Sequence, residues 1–295
     1  MFFSKTISLR ITTISAPYQL LSISPKSQIS SPEKGSPMKL QNRVAIVTGG
    51  GRGLGKVIAL ALAEEGARVV IAATYEPALN ETAREITAKG YACLAVLTDV
   101  SKEEDAENMV SATLKEFGQV DILVNNSGIA GPTGPVVSID RRGWDETLAV
   151  NLTGPFLCSR AALKNMIERK QGKIINISSV GGKRAYALRS PYAVSKRGLI
   201  ALTETLALEV GQYNIQVNVI CPGPVAGDRM NRVIENRARE MGKSIEEVTQ
   251  FYVQATALKR MVEARDIADM VVFLASDSGN NITGQTISIC GGYGL

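Results

Sequence analysis

Tyr192 and Lys196 are the two residues whose types and spacing best suit proton transfer. They stand four residues apart in a segment that reads as a helix, so both project from one face with Cβ atoms about 5–6 Å apart. Free tyrosine titrates near pH ~10, and acid or base work near neutrality needs a shift of roughly three units, or about 4 kcal/mol. A cation beside the phenol stabilises phenolate and supplies much of that shift. The spacing therefore indicates a tyrosine acid or base, although it also fits an exposed pair on an amphipathic helix.

Composition restricts the other proton-transfer chemistry. The chain of 295 residues contains no histidine, which excludes a Ser-His-Asp triad, a histidine base and a histidine-ligated metal. The cysteines lie far apart with no C-x-x-C pair, so the sequence predicts no metal site and no disulfide framework. It favours reduced cysteines in an intracellular protein. The four are Cys93, Cys158, Cys221 and Cys290.

Size and charge favour one large neutral domain after a short basic extension. Hydrophobic residues make up 45% of the chain, enough to bury a substantial core. Residues 1–37 carry +3 of the formal net charge of +5, so the rest is nearly neutral and nucleic-acid binding gets little support. No apolar run approaches the ~18–20 residues of a membrane span.

The segment 1–37 is expected to be disordered, because it holds nine serines and no acid before Glu33. An organelle presequence is also rich in serine and poor in acids, yet this segment has a single arginine. Initiation at Met38 fits equally well. We therefore expect residues 38–295 to form the folded domain and the protein to be cytoplasmic, with an organelle as the alternative if the segment is a presequence.

The elements that must position Tyr192 and Lys196 alternate between strands and helices. Continuous apolar strands, rather than alternating ones, indicate a parallel sheet covered on both faces. The sequence thus predicts an α/β domain of the Rossmann-like doubly wound type, with seven parallel strands and ligands beyond their carboxyl ends. The predicted strands are 44–47, 69–71, 94–97, 122–124, 174–177, 217–220 and 286–289, and the predicted helices are 56–65, 77–89, 103–117, 144–169, 192–213 and 264–274.

A glycine-rich turn follows the first strand at residues 48–55 and leads directly into a helix. Its five glycines let the backbone approach a pyrophosphate, whose charge meets the exposed N–H groups of the helix start. The spacing is T-G-x-x-x-G-x-G and not the usual dinucleotide pattern G-x-G-x-x-G. A merely flexible turn is the plainer alternative.

Taken in order, these motifs resemble the short-chain dehydrogenase/reductase family, in its single-domain type and close to 3-oxoacyl-[acyl-carrier-protein] reductase-like members. The resemblance covers about residues 40–295. Its motifs are 48–55, Asp99-Val100, 125–128, Asn151, Ser179 thirteen residues before Tyr192, Tyr192 with Lys196, and 221–225.

The resemblance implies an NAD(P)-dependent oxidoreductase that transfers a hydride between nicotinamide and a carbonyl or secondary alcohol. Tyr192 is then the general acid or base, and Lys196 lowers its pKa and bonds the nicotinamide ribose. Ser179 bonds the substrate oxygen, and Asn151 holds a water that passes protons from Lys196 toward solvent.

A second set of residues is assigned to the cofactor by the same resemblance. The glycine-rich turn cradles the dinucleotide, an aspartate bonds adenine, an asparagine and a glycine line the ribose, and a Pro-Gly turn borders the nicotinamide. Asp99 and the Pro-Gly turn have structural alternatives, a helix cap and an ordinary turn. The residues are Gly49, Arg52, Gly53, Leu54, Gly55, Thr74, Asp99, Val100, Asn126, Gly128, Tyr192, Lys196, Pro222, Gly223 and Val225.

Two positions depart from the family pattern, and a third bears on the cofactor. Ser127 replaces the usual alanine, which should be tolerated. Gly227 replaces a threonine expected to bond the carboxamide. The acid that normally closes the second strand for NAD is absent, so Arg52 with Thr74 favours NADP, with NAD as the alternative if Glu76 substitutes.

Substrate recognition is expected from residues 129–139, 181–190 and a helical lid at 227–261. The cations of the second segment suit an anionic substrate, but a solvated or subunit-facing cluster is the favoured interpretation. The resemblance suggests that helices 144–169 and 192–213 pair between subunits of a homodimer or homotetramer. The alternatives from other classes are a catalytically silent nucleotide-binding regulator and a methyltransferase; neither would need this set of catalytic residues.

Overall fold

The computed structural model describes residues 10–13, 19–23 and 38–295 of the chain. Strands and helices alternate through the main part. Within residues 38–295 six strands are short and almost wholly buried, and the last strand is partly exposed. The strands are β1 Arg10–Thr13, β2 Gln19–Ile23, β3 Val44–Thr48, β4 Arg68–Ala73, β5 Cys93–Leu97, β6 Ile122–Asn125, β7 Gly172–Ile177, β8 Ile215–Pro222 and β9 Thr286–Ile289.

The helices lie between these strands and after β8. They are α1 Gly53–Glu64, α2 Glu76–Ala88, α3 Glu103–Phe117, α4 Arg141–Leu148, α5 Gly154–Arg169, α6 Val180–Lys183, α7 Ser190–Val210, α8 Asp228–Met241, α9 Ile245–Gln254 and α10 Ala264–Ala275. No helix in the described part of the chain has the length and apolarity needed to cross a membrane.

The seven predicted parallel strands form one sheet in the order β5-β4-β3-β6-β7-β8-β9. The chain enters this parallel sheet in its middle, because β3 pairs with both β4 and β6. In such an order the connections diverge at β3 and β6, and the carboxyl ends of these strands border an open crevice. The predicted doubly wound fold is confirmed.

Two further strands extend the sheet at the β5 edge. Strand β2 pairs antiparallel with β5, and β1 pairs antiparallel with β2. Both come from the segment 1–37, for which the sequence predicts disorder. The exposed N–H and C=O groups of an edge strand can accept any short extended segment, and the local sequence does not reveal this pairing. The other residues of 1–37 lie outside the described part of the chain, and for them disorder stays a prediction.

Each face of the sheet is covered by a separate hydrophobic core. One core joins the sheet to α1, α2 and α10, and the other joins it to α3, α5 and α7. Strand residues alternate between these cores: Val47 belongs to the first and Ile46 to the second, both fully buried. Packing on both faces explains why the strands read as continuous apolar runs, and it holds their carboxyl ends in a fixed edge.

The helix predicted at residues 144–169 is interrupted in the structure. Helix α4 ends at Leu148, a π-helical turn occupies Ala149–Thr153, and α5 begins at Gly154. Such single-turn bulges carry one extra residue per turn and often occur at functional sites. Here the turn contains the buried Asn151.

Candidate active site

The glycine-rich turn after β3 uses backbone conformations and close contacts that exclude side chains. Gly49 and Gly53 have φ of +67° and +54°, in the left-handed region where only glycine is free of strain. A Cβ on Gly55 would collide with the Gly49 carbonyl and come within 2.5 Å of the Asn126 side-chain amide. The turn therefore brings backbone, and not side chains, to the carboxyl edge of β3.

Asn126 and Thr48 fasten the turn to the end of β6. The side-chain amide of Asn126 donates to the Thr48 carbonyl at 2.8 Å. In return the Thr48 hydroxyl accepts from the backbone N–H groups of Asn126 and Ser127, each at 3.0 Å. Thr48 belongs to the sequence motif, which assigns it no role, and the structure makes it the clamp between the two strands that border the crevice.

The start of α1 fits the phosphates of a dinucleotide. The helix begins after Arg52 with no side-chain cap and no acidic residue in its first turn, so no side chain competes for its first N–H groups. Leu54 follows Gly53 there and packs against the first core, while a Cβ on Gly53 would meet nothing within 4 Å. An uncapped helix start beside an open, glycine-lined turn is a suitable anion site.

The residues assigned to adenine and its ribose follow the ends of β4, β5 and β6. Asp99 accepts from the backbone N–H and hydroxyl of Ser101 at 3.1 and 2.7 Å through one oxygen, Oδ1. Val100 is buried against Gly154, and Thr74 is exposed just after β4. Asp99 thus stabilises a local turn with one oxygen. No bond to its other oxygen is seen among the described residues.

Helix α7 carries Tyr192 and Lys196 on the side that meets α6. The Lys196 ammonium lies 6.0 Å from the centre of the Tyr192 ring and donates to the Ile177 carbonyl at 2.8 Å. Added Cβ atoms on Gly181 and Gly182 of α6 would touch the Tyr192 ring at 3.4 Å and the Lys196 backbone at 2.7 Å. These two glycines, which no sequence motif singled out, allow α6 to pack directly against the pair.

Ser179 precedes α6 and is brought to the same place. Its hydroxyl oxygen accepts from the Gly181 N–H at 3.1 Å, which caps the short helix. A serine hydroxyl that accepts one bond still has its own O–H to donate. Because a Cβ added to Gly181 would come within 3.4 Å of the Tyr192 ring, the short helix that Ser179 caps lies next to that ring.

The charge of Lys196 is weakened by its surroundings. Burial, with Arg229 as a smaller cause, lowers the pKa of Lys196 to about 7, while Cys221 acts in the opposite direction. Its side chain is almost completely removed from water. A group with this pKa exchanges protons readily near neutrality.

Asn151 connects the π-helical turn to α7 and to the loop after β6. Its amide oxygen accepts from the Ile129 N–H at 2.8 Å, and its amide nitrogen donates to the Ile129 carbonyl at 3.0 Å. The same nitrogen donates to Ser195 at 3.1 Å, and Ser195 in turn donates to the Tyr192 carbonyl. Gly128 lies beside this amide and beside Lys196.

The segment after β8 forms the side of the crevice assigned to nicotinamide. Pro222 ends β8, and Gly223 continues the pairing with β9 through its N–H. A Cβ on Gly223 would meet the Cys290 backbone at 2.8 Å, and Val225 forms a bridge to Val262. Gly227, with φ of +126°, then precedes α8 and offers no hydroxyl to a carboxamide.

A cluster of arginines and tyrosines lies against Tyr192, and no sequence motif indicated it. Its members come from the segment 181–190, from α7, from α8 and α9, and from the chain end. We call it the Arg–Tyr cluster; it consists of Tyr186, Arg189, Tyr192, Arg237, Phe251, Tyr252 and Tyr293.

The Arg–Tyr cluster joins the two predicted recognition segments to the predicted lid. The Tyr186 and Tyr252 hydroxyls are 2.8 Å apart, and Arg237 donates to the Tyr252 hydroxyl at 3.3 Å. Burial raises the pKa of Tyr186, so its phenol stays protonated. Lys183 and Arg184 are exposed as expected, but the expectation of a solvated cluster is wrong for Arg189, which the rings of Tyr186 and Tyr192 shield from water.

Comparisons with known proteins show the family to which this fold belongs. Residues 49–294 match the family described as Enoyl-(Acyl carrier protein) reductase. The chain is 36% identical to 3-oxoacyl-[acyl-carrier-protein] reductase FabG of Staphylococcus epidermidis over 252 residues, 85% of this chain and 98% of that protein.

Two solved structures extend the likeness to the whole fold. An NAD⁺-bound xylitol dehydrogenase superposes with a TM-score of 0.84 and 31% identity, covering 86% of this chain and all of the other. A single-substitution variant of actinorhodin polyketide ketoreductase with NADPH has a TM-score of 0.82 and 34% identity, covering 85% of this chain and 97% of the other.

Proposed function

The chain belongs to the short-chain dehydrogenase/reductase family and is an NAD(P)-dependent oxidoreductase, and from this we propose that Tyr192 is its general acid and base. The bound nicotinamide supplies or accepts the hydride that reaches a carbonyl or leaves a secondary alcohol. The observation that carries the proposal is the packing of Tyr192 and Lys196 against α6, beside Ser179, at the carboxyl edge of the sheet.

Three side chains divide the work at the substrate oxygen. In reduction Tyr192 donates its phenolic proton to the oxygen that gains negative charge, and in oxidation it takes that proton back. The Ser179 hydroxyl donates a hydrogen bond to the same oxygen. Lys196 is anchored by Ile177, and its protonated form stabilises the phenolate of Tyr192.

Asn151 fixes the local geometry and leaves little room for a relay through its side chain. Both N–H groups of the amide are used by Ile129 and Ser195, and one lone pair of the oxygen is used by the Ile129 N–H. An amide oxygen has two lone pairs, so one acceptor position is left for a water. We propose that Asn151 mainly holds Ile129 and α7 in register, with the water relay limited to that one position.

We also propose a preference for NADP over NAD. Arg52 is exposed beside the open turn, and among the described residues no carboxylate forms an ion pair with it, so its charge is available to a 2′-phosphate. Thr74 lies exposed after β4, where an acid would repel that phosphate. Glu76 begins α2 two residues later and is the group that would favour NAD instead.

The cofactor proposal is tested by replacing Arg52 with alanine. If Arg52 binds the 2′-phosphate, kcat/KM with NADPH should fall about 10-fold or more while the value with NADH changes little. Thr74→Ala should give a smaller loss in the same direction. A higher kcat/KM with NADH than with NADPH in the unchanged protein would refute the preference.

The substrate is proposed to be a small carbonyl or alcohol compound, with α8 and α9 as the lid over it.

We also propose that the protein forms a homodimer or homotetramer in which α5 and α7 pair between subunits. Phe156 on α5 and Val194 and Leu208 on α7 are exposed, Leu208 by 87%, which is unusual for apolar side chains. A cytoplasmic location, or an organelle if residues 1–37 are a presequence, remains our expectation.

The activity is tested with the Tyr192→Phe variant. Absorbance at 340 nm would be followed with a panel of ketones, keto sugars and secondary alcohols, and turnover should fall at least about 10³-fold because the proton donor is gone. Cofactor affinity, measured by fluorescence titration, should stay within about 3-fold. Turnover within 10-fold of the unchanged protein would refute the role of Tyr192, and no observation favours a catalytically silent regulator.

A further inference from the structure

Arg189 is a buried cation that lies against the proposed catalytic tyrosine. It immediately precedes α7, and only 4% of its surface is exposed. Its guanidinium carbon is 4.9 Å from the centre of the Tyr192 ring and 5.7 Å from that of Tyr186. The Lys196 ammonium, at 6.0 Å, is farther from the Tyr192 ring than Arg189 is.

The position of Arg189 is fixed by hydrogen bonds of both its guanidinium and its backbone. Its Nη2 donates to the Ala130 carbonyl at 2.8 Å, and its backbone N–H donates to the Tyr186 carbonyl. Leu188, just before it, has φ of +65°, a conformation that a leucine adopts only when the surrounding structure imposes it. The Leu188 carbonyl accepts from the Gly134 N–H, which ties this strained turn to the loop 129–139.

The positive charge of Arg189 is not neutralised nearby. In the described part of the chain no carboxylate forms an ion pair with it, and its Nε is buried without a hydrogen-bond partner. Burial without a counter-ion is costly unless another group interacts with the charge. The faces of two tyrosine rings are the groups that do so here.

The charged and titratable groups around Tyr192 come from every element packed against it. On its own helix and just before it they are Lys196 and Arg189, and on the preceding segment Tyr186. Cys221 on β8 and Arg229 on α8 affect the charge of Lys196. Arg237 on α8 and Tyr252 on α9 both contact Tyr186.

We propose that Arg189 is a positioning residue of the reaction, which holds the Tyr192 ring and keeps a permanent positive charge beside its phenol. The proposal rests on the general acid and base role proposed for Tyr192. A guanidinium stays protonated at every working pH, whereas a buried lysine does not. Because the pKa of Lys196 is about 7, its help to the phenolate fades as the pH rises, while that of Arg189 does not.

The test is the pH dependence of alcohol oxidation in the Arg189→Met and Arg189→Lys variants. Oxidation requires phenolate, so kcat/KM should rise with pH through a midpoint set by Tyr192. Losing the charge in Arg189→Met should move that midpoint up by about one pH unit. A lysine in this buried site loses its charge as the pH rises, so the midpoint of Arg189→Lys should lie between those of the unchanged protein and Arg189→Met. This variant also provides a readout if the methionine variant folds poorly.

Arg68 offers a matched control on the opposite edge of the sheet. It lies over a single ring, Phe117 at 5.5 Å, and like Arg189 it donates to one backbone carbonyl and has a buried Nε without a partner. Arg68 is half-buried, so Arg68→Met should lose somewhat less packing and should leave the midpoint unchanged. An equal shift in Arg68→Met, or no shift in Arg189→Met, would overturn the proposal.

The same experiments separate failure of this inference from failure of the proposed function. If Tyr192→Phe is inactive and Arg189→Met has an unshifted midpoint with lower kcat at all pH values, Arg189 serves packing only. If Tyr192→Phe remains active, the role of Tyr192 itself is wrong and the inference falls with it.

Discussion

The two sides of the crevice are built in different ways. On the nucleotide side, Gly49, Gly53 and Gly55 present bare backbone, and the contacts that shape the turn are made to carbonyl and amide groups. On the substrate side, the Arg–Tyr cluster is built from long side chains that meet ring to guanidinium and hydroxyl to hydroxyl. The nucleotide side should therefore be sensitive to substitutions that add a side chain, and the substrate side to substitutions that remove side-chain atoms.

The support beneath the two sides differs as well. The nucleotide turn rests on the large core that joins β3, α1 and α10. Helices α8 and α9 share a small core of Ile234, Ala238, Val248 and Tyr252, with Met230, Met261 and Tyr293 at its edge. Motion on the substrate side should therefore cost less free energy than motion of the turn. This difference suits a protein whose dinucleotide site stays fixed while its substrate site moves.

The largest effect is expected from Gly55→Ala on the nucleotide side. The new methyl group would collide with the Gly49 carbonyl and the Asn126 amide, neither of which can move without opening the turn. The free energy of unfolding should fall by about 2–3 kcal/mol, and cofactor affinity should fall with it. Thermal unfolding and fluorescence titration would measure the two quantities.

The matched control for Gly55→Ala is Gly211→Ala. Gly211 has φ of −58° and nothing within 4 Å of an added Cβ, so alanine should leave stability unchanged or raise it by up to about 1 kcal/mol. If the two substitutions destabilise the protein equally, the close contacts of Gly55 are not the cause of the effect of Gly55→Ala.

A smaller effect, which depends on pH, is expected where the two sides meet, at Lys196. Its pKa is about 7 when folded and returns toward 10.5 on unfolding. Below pH 7 both states are protonated and the full cost of burying the ammonium is present. Above it the unfolded state binds more protons, so stability should rise with pH by at most about 1.4 kcal/mol per unit.

The Lys196→Met variant isolates this contribution. The free energy of urea unfolding without cofactor should rise by about 2 kcal/mol from pH 7 to pH 9 in the unchanged protein, relative to the variant, because only the unchanged protein carries the lysine. If the free energy of unfolding changes with pH in the same way for both proteins, the cost of burying the Lys196 ammonium is refuted. Comparing the two proteins also cancels other titrating groups, such as Lys173, whose pKa burial lowers to about 8.

The smallest effect is expected from Tyr186→Phe on the substrate side. The change removes a 2.8 Å hydroxyl pair with Tyr252 and should cost about 1 kcal/mol. Because the pair links the lid to the segment 181–190, KM for the substrate should rise while cofactor affinity stays constant. Steady-state kinetics and fluorescence titration would separate these.

Tyr91→Phe is the control for that substitution, at the opposite end of the strands from the crevice. Tyr91 packs against the first core, and its hydroxyl has no hydrogen bond to any described residue. The same loss of a hydroxyl there should leave both KM and stability unchanged. A change in cofactor affinity for Tyr186→Phe would mean that the two sides are coupled more tightly than their contacts indicate.

Much of the molecule could be predicted because its signals are local. The seven parallel strands are runs of apolar residues, and their ends agree with the prediction to within one or two residues. The four-residue spacing also placed Tyr192 and Lys196 on one side of a helix, because helix periodicity alone brings such residues together. The sequence did not predict two features: the π-helical turn around Asn151, and the addition of β1 and β2 to the sheet beside β5.

The sequence by itself determined the fold class, the nucleotide turn and the Tyr192–Lys196 pair, because helix periodicity, strand burial and the lack of a Cβ are properties of nearby residues. Only the tertiary structure decided that Arg189 is buried against Tyr192 and that Tyr186 meets Tyr252, 66 residues away. The two rings that lie against Arg189 are only three residues away in sequence, but its guanidinium is also held by the Ala130 carbonyl, 59 residues away. No local pattern predicts that contact, because the fold alone brings the loop after β6 to this segment.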